Sequence, residues 1–304
     1  MHLGNARTFL VNWLLARQRD WRIILRIEDL DGPRVKSSAD LGLIEDLRWL
    51  GLDWDQGPIY QSRRRERYAE AMNTLVSNEC VYACVCSRRE VEESASAPHG
   101  ENGPIYPGTC RGRFAARDEA QRQTARPAAM RFKAPAARIR FADAIRGVRE
   151  YDAQRDVGDF VVEMGDGTPA YQLAVVVDDA EMGITDVVRG DDLLDSTARQ
   201  QLIYDALGWR DRVPSYTHLP LVIGADGRRL AKRHGDTRLA HYRERGVPPG
   251  RVLSLLARWC GIENMGDDVK VGDLLSVFSI ENLPRTPMTF SAADDAMLFA
   301  NRFR

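Results

Sequence analysis

Trp21-Arg22-Ile23-Ile24-Leu25-Arg26-Ile27-Glu28-Asp29-Leu30-Asp31 decides how this chain is read. Trp21 to Ile27, rich in Ile and Leu, reads as a buried strand, and Glu28 to Asp31 as a charged turn at its carboxyl end. Before it, Ala6, Phe9, Leu10, Trp13 and Leu14 share one helical face. After it, Leu43, Ile44, Leu47 and Leu50 form a second helical stripe ended near Gly51, and Tyr68, Met72 and Leu75 mark a third. Helix, strand and helix with short connections predict a parallel α/β sheet. Such sheets bind ligands at the carboxyl ends of their strands, where a carboxylate of this turn could hold a substrate ammonium. A solvated acidic turn is the competing interpretation.

The chain opens with Met1-His2-Leu3-Gly4-Asn5. A His and a Gly at a helix entrance suit phosphate binding. The first N–H groups of a helix lack intrahelical acceptors, and Gly4 would let a ligand approach the backbone. As an isolated match, an exposed terminal His2 explains these residues better.

Farther along, Val81 to Val85 predicts a strand, and Ser87 with Glu90 has the spacing of a capping box. Ser94 to Pro104 is a polar loop. From Ala128 to Val177 the pattern turns to strands. Val161 to Met164 and Ala170 to Leu173 predict a hairpin around Gly165-Asp166-Gly167, with Tyr171 on its second arm. This region reads as an insertion between two halves of the α/β unit. Val187-Val188-Arg189-Gly190-Asp191-Asp192 repeats the strand and charged turn. There Arg189 could clamp a carboxylate bidentately, with Tyr171 adding a hydroxyl. Ser196 to Leu207 is helical again, and Pro248 to Cys260 and Val269 to Phe278 predict a mostly helical tail. Arg229 to His234 is a basic loop after a Gly224-to-Gly227 turn, able to stabilise a leaving pyrophosphate. Lysine occurs only at 36, 133, 232 and 270, so Lys232 stands out in a chain whose surface cations are nearly all Arg.

The five cysteines are odd in number and follow no secretion signal, which argues against a disulfide framework and for the cytoplasm. Cys84-x-Cys86 and Cys110 point instead to a metal, with Tyr106 or His99 as fourth ligand. Cys80 and Cys260 are assigned to packing. A net charge of −1 confines any RNA contact to a local patch, and no apolar run is long enough to span a membrane.

Together these segments resemble the class I glutamyl-type aminoacyl-tRNA synthetases over nearly the whole chain. His2 to Thr8 is similar to that family's HIGH motif and Leu25 to Asp31 to its LRIEDxD run. Leu52 to Asp55 and Tyr60 to Ser62 are similar to its next blocks, and Val188 to Leu194 with Ser196-Thr197 to its VRGxDLLxST segment. Arg229 to Arg233 resembles the KMSKS loop, with Arg229 for its first Lys and Ala231 for its Ser. Three features resemble the short glutamyl-Q tRNA(Asp) synthetase group, which lacks the anticodon-binding domain. They are the Cys84, Cys86, Tyr106 and Cys110 set, the roughly seventy residues after the KMSKS-like loop, and Pro284 to Pro287.

The resemblance implies a Rossmann-type α/β catalytic domain with an inserted zinc-containing α+β acceptor-type subdomain and a short helical C-terminal region. Its halves would span 1–80 and 176–240, the insertion 81–175 and the tail 241–304. It implies ATP-dependent activation of L-glutamate, with Mg²⁺, and transfer to the queuosine base in the anticodon of tRNA(Asp). A shortened enzyme charging tRNA(Glu) and a non-catalytic tRNA-binding relative are the alternatives. His2, Gly4, Asn5, Arg229 and Lys232 would contact ATP, with His2 and Lys232 catalytic, and Glu28, Tyr171 and Arg189 would bind glutamate. One structural Zn²⁺ would sit on Cys84, Cys86, Tyr106 and Cys110, in a chain expected to be a monomer. The family's first strand and RxAPSPTG segment have no counterpart here, so the resemblance implies either a start upstream of Met1 or the loss of part of the site.

Overall fold

The computed structural model describes residues 1–30, 39–94, 105–228, 230 and 235–300. Helix α1 (Leu3–Gln18) buries Leu3, Ala6, Leu10, Val11 and Leu14 completely. Strand β1 (Ile24–Ile27) leads to α2 (Ala39–Trp49), β2 (Gln56–Tyr60) and α3 (Arg65–Ser77). β2 runs parallel to β1, with Ile27 opposite Tyr60. The sequence hides β2 because Gly57 and Pro58 weaken a strand pattern; among the described residues β2 is an edge strand, where proline is tolerated.

Next come β3 (Val81–Cys84), α4 (Arg88–Ser94), α5 (Arg117–Thr124), β4 (Ala129–Phe132), β5 (Arg138–Asp143), β6 (Gly147–Asp152) and β7 (Phe160–Glu163). Ser87 and Glu90 make the reciprocal bonds of the expected capping box. β3, β4 and β7 form an antiparallel sheet. The β5–β6 hairpin joins the parallel pair β8 (Asp186–Gly190) and β9 (Ser215–Leu219) through Asp143 opposite Tyr216. Around them lie α6 (Tyr171–Glu181) and α7 (Leu194–Ala206). The C-terminal part holds β10 (Val222–Ile223), α8 (Leu239–Glu244), α9 (Pro249–Arg258), β11 (Met288–Thr289) and α10 (Ala292–Phe299).

The architecture is α/β, with mixed sheets in place of one parallel sheet. Among the described residues β1 pairs only with β2, and β8 pairs only with β9. Residues of β1 and of β8 line the same cleft. Asn12 spans from α1 to β8, its side-chain amide donating to the Thr8 and Val188 carbonyls at 2.9 Å. Two apolar cores form. One gathers α1, α2 and the C-terminal helices; the other gathers α3, the β3–β4–β7 sheet, α6 and α7. No helix among the described residues is long and apolar enough to cross a membrane.

Two local expectations are corrected. Ala170 to Leu173 is not a strand: Ala170 is an N-cap, and Tyr171 opens α6. The Val175-Val176-Val177 run imitates a buried strand, but Leu173 to Ala180 is buried without a break, and such a segment has no solvent face to show the helical period. In Val269 to Phe278 only a 3₁₀ turn forms, at Val271–Leu274.

Candidate active site and metal centre

A cleft of about 1010 Å³ opens between β1, β8, α1 and the start of α6. Its lining includes His2, Gly4 and Asn5 at one place, and Glu28, Tyr171 and Arg189 at others. Six of the anticipated site residues, from four separate chain segments, thus share one cavity. Arg229 and Lys232 lie outside the described residues.

His2 caps α1, its Nδ1 accepting from the Asn5 N–H at 3.3 Å. The Leu3 N–H donates to the Thr237 carbonyl at 2.9 Å. Gly4 is therefore the first-turn residue whose N–H has no acceptor among the described residues. The helix end offers an anion less than its bare sequence promised. A Cβ at Gly4 would lie 3.1 Å from His2 Cε1 and 3.2 Å from Nδ1, so the imidazole lies over this residue because it lacks a side chain. His2 also bridges to Arg238, and the Leu239 N–H donates to the Met1 carbonyl at 2.7 Å. Within the basic loop, the Leu230 N–H reaches the Val222 carbonyl at 3.4 Å. Leu230 in that loop and Arg238 and Leu239 after it are the described residues that are thereby anchored. Arg7 fixes the helix from below: buried, it donates from Nε to the Trp259 carbonyl at 3.0 Å and from Nη1 to Pro220 at 2.6 Å.

Glu28 lies just past β1 and accepts from Arg26 Nη2 at 3.3 Å. Arg26 is shared, since its Nη1 also donates to Asp179 at 2.7 Å. The Glu28 carboxylate remains half exposed to the cleft. Tyr171 is 39% exposed at the first turn of α6. Desolvation of its hydroxyl raises its pKa, opposed by the nearby charge of Arg189 and reinforced by that of Glu28.

Arg189 is only 8% exposed and lines the cleft. Its Nη2 donates to Thr197 Oγ1 and Gln200 Oε1 at 2.9 Å, and its Nε to His218 Nε2 at 3.0 Å. His218 in turn meets Asp143 at 2.7 Å. None of Asp143, Gln200 and His218 was singled out from the sequence. The only available signal was polar residues at otherwise apolar strand and helix positions.

Apart from the cleft, the Cys84, Cys86 and Cys110 sulfurs lie within 4.8 Å of one another. The Tyr106 hydroxyl is 3.3 Å from both Cys84 and Cys86 Sγ and accepts from the Cys110 N–H at 2.9 Å. Gly108, at φ +82°, provides the turn that brings Cys110 back to Tyr106. Arg131 donates to Cys84 Sγ at 3.1 Å, and its guanidinium lies 3.9 Å from the centre of the Tyr106 ring. Three soft sulfurs and one phenol oxygen converge at a spacing compatible with tetrahedral Zn²⁺, whose bonds to sulfur are about 2.3 Å. The donor set fits the ion, and all four positions would be protein ligands. His99 lies outside the described residues.

Residues 1–283 match the family described as tRNA synthetases class I (E and Q), catalytic domain. A glutamyl-Q tRNA(Asp) synthetase of Symbiobacterium thermophilum is 46% identical, covering 98% of this chain and 94% of that protein. Its counterpart in Rhodopirellula baltica is 47% identical over 86% of this chain and 82% of its own length. A glutamate–tRNA ligase of Citrifermentans bemidjiense is 40% identical, but this chain spans only 63% of it. The crystal structure of a glutamate tRNA ligase from Elizabethkingia meningosepticum superposes with a TM-score of 0.79 at 27% identity, over 98% of this chain and 66% of that one.

The chain belongs to the class I tRNA synthetases of the glutamate and glutamine type. It is an enzyme of the ligase kind, and the two relatives above that it spans to more than four fifths of their length are glutamyl-Q tRNA(Asp) synthetases.

Proposed function

We propose that this enzyme activates L-glutamate with ATP and transfers the glutamyl group to the queuosine base in the anticodon of tRNA(Asp). A glutamate carboxylate oxygen attacks the α-phosphorus of ATP, and the bond to the β-phosphate oxygen breaks. Glutamyl-adenylate forms and pyrophosphate leaves. The queuosine base then takes the glutamyl group and AMP departs. The observation that carries this proposal is the convergence of His2 and Gly4 with Glu28, Tyr171 and Arg189 on one cleft.

In this account His2, Gly4 and Asn5 hold ATP, joined by Arg229 and by Lys232 at the pyrophosphate end. Glu28 receives the glutamate ammonium, and Arg189 with Tyr171 a carboxylate. Positioning and charge stabilisation do most of the work, with no covalent step on a side chain. Cys84, Cys86, Tyr106 and Cys110 hold one Zn²⁺ that braces the segment between β3 and α5; with four protein ligands it has no open position for chemistry. The segments 1–80, 81–175, 176–240 and 241–304 are proposed as half-domain, insertion, half-domain and tail.

The choice of tRNA rests on the names of the relatives, two of which are glutamyl-Q tRNA(Asp) synthetases at 46% and 47% identity. Glutamate-dependent ATP–pyrophosphate exchange without tRNA tests the first step. Transfer of labelled glutamate to queuosine-containing tRNA(Asp), and not to tRNA(Glu), tests the second. Charging of tRNA(Glu) alone would replace this proposal with a shortened glutamyl-tRNA synthetase.

A further inference from the structure

Arg189 is oriented more completely than a carboxylate contact requires. Its Nε and Nη2 donate to His218, Thr197, Gln200 and, at 3.3 Å, the Leu193 carbonyl. Its Nη1 has no protein acceptor among the described residues, and the side chain lines the cleft. Two of the three guanidinium nitrogens are thus spent on the protein, and one is left for a ligand, so the two-nitrogen clamp expected from the sequence becomes a contact through Nη1 alone.

The contact with His218 fixes a protonation state. An arginine Nε–H can only donate, so His218 Nε2 must carry a lone pair. The ring proton is then on Nδ1, facing Asp143 Oδ2 at 2.7 Å. Asp143 is itself immobilised. Its Oδ1 accepts from the Ile145 and Arg146 N–H groups at 3.0 and 2.7 Å, and its Oδ2 also accepts from the His218 N–H at 3.0 Å. Burial raises the pKa of this carboxyl, but the His218 and backbone donors outweigh burial and hold it below its ordinary range. Both side chains are 0% exposed. The charged and titratable groups facing His218 are Asp143 from β5, Arg189 from β8 and Tyr216 on its own strand. A buried Asp–His pair is a costly way to fill space, since an apolar side chain could fill it without charge.

We propose that Asp143 and His218 are positioning residues for Arg189. Asp143 selects the imidazole tautomer, and the imidazole sets the guanidinium plane that presents Nη1 to the carboxylate of glutamate. This inference rests on Arg189 being the carboxylate contact proposed above. It makes the turn of the β5–β6 hairpin part of amino-acid recognition, although none of its residues lines the cleft.

The test is glutamate-dependent ATP–pyrophosphate exchange without tRNA, on the full chain. His218→Leu removes the acceptor and should raise the KM for glutamate about 10- to 100-fold, with kcat and the KM for ATP within about threefold. His218→Gln keeps an amide oxygen for Arg189 and an N–H for Asp143, and should restore the KM for glutamate to within about fivefold of the parent. A folded His218→Leu enzyme with the parent KM for glutamate overturns the inference, as does equal impairment of the Leu and Gln variants. Where His218→Leu does not fold, Asp143→Asn takes its place. It should raise the KM for glutamate about tenfold with the KM for ATP unchanged, and an unchanged KM for glutamate overturns the inference. Arg189→Lys separates the two levels. If it leaves the KM for glutamate intact, the clamp assignment itself fails; if it is impaired while His218→Leu is not, only the positioning role fails.

Discussion

Gly4→Ala should weaken ATP binding without unfolding the protein. The new Cβ would meet His2 Cε1 at 3.1 Å, His2 Nδ1 at 3.2 Å and Val222 Cβ at 3.4 Å. Comfortable carbon contacts lie at about 3.5–4.0 Å, so the imidazole must retreat by a few tenths of an ångström. The bond it accepts from the Asn5 N–H is already long, at 3.3 Å, and such a shift would break it. Loss of the cap costs about 1 kcal/mol, and Ala in place of Gly in a helix returns about 0.5–1 kcal/mol. Stability should therefore change by less than about 1 kcal/mol, or a few degrees in Tm. Binding at the proposed ATP corner has no such compensation: a displaced His2 and a crowded Gly4 N–H should raise the KM for ATP about tenfold or more, with the KM for glutamate little changed. Exchange kinetics titrated separately in ATP and glutamate, beside a thermal melt, read both quantities. An unchanged KM for ATP in a folded variant would refute the placement of ATP at this helix end.

The parent purified without chelator should hold one zinc ion, and Cys84→Ser or Cys110→Ser should lose it; equal zinc by elemental analysis would remove the metal assignment. Asp178, fully buried, accepts from Arg64 Nε at 2.7 Å, Gln61 Nε2 at 2.8 Å and the Tyr68 hydroxyl at 3.0 Å. Asp178→Ala should cost about 3–5 kcal/mol in urea unfolding, because it strands those donors; a loss below about 1 kcal/mol would contradict the network. Asp143 has a folded pKa below its ordinary value, so its stabilisation is full at neutral pH and disappears as pH falls below about 4 toward that folded value. The stability gap between the parent and Asp143→Asn should therefore narrow between about pH 6 and about pH 3, and a constant gap would contradict that linkage.

The sequence by itself determined the pieces. Helical spacing located α2 and α3, because each keeps a polar face against which its buried stripe shows, whereas α1 is buried nearly all round and showed only the Ala6, Phe9, Leu10, Trp13 and Leu14 spacing. Motif order also predicted Glu28, Arg189 and the Cys84, Cys86, Tyr106 and Cys110 set, since short local spacing survives in one dimension. It failed where local signals conflict with context: Pro58 concealed β2, and the valines of α6 imitated a strand. Only the tertiary structure decided which pieces meet. It brought His2, Glu28, Tyr171 and Arg189 to one cleft from segments far apart in the chain. It also backed Arg189 with His218 and Asp143, residues 29 and 46 positions away, a partnership created by strand pairing between β5, β9 and β8. Hydrogen-bond partners across a sheet follow from register, and register is a property of the folded chain that no local window of sequence contains.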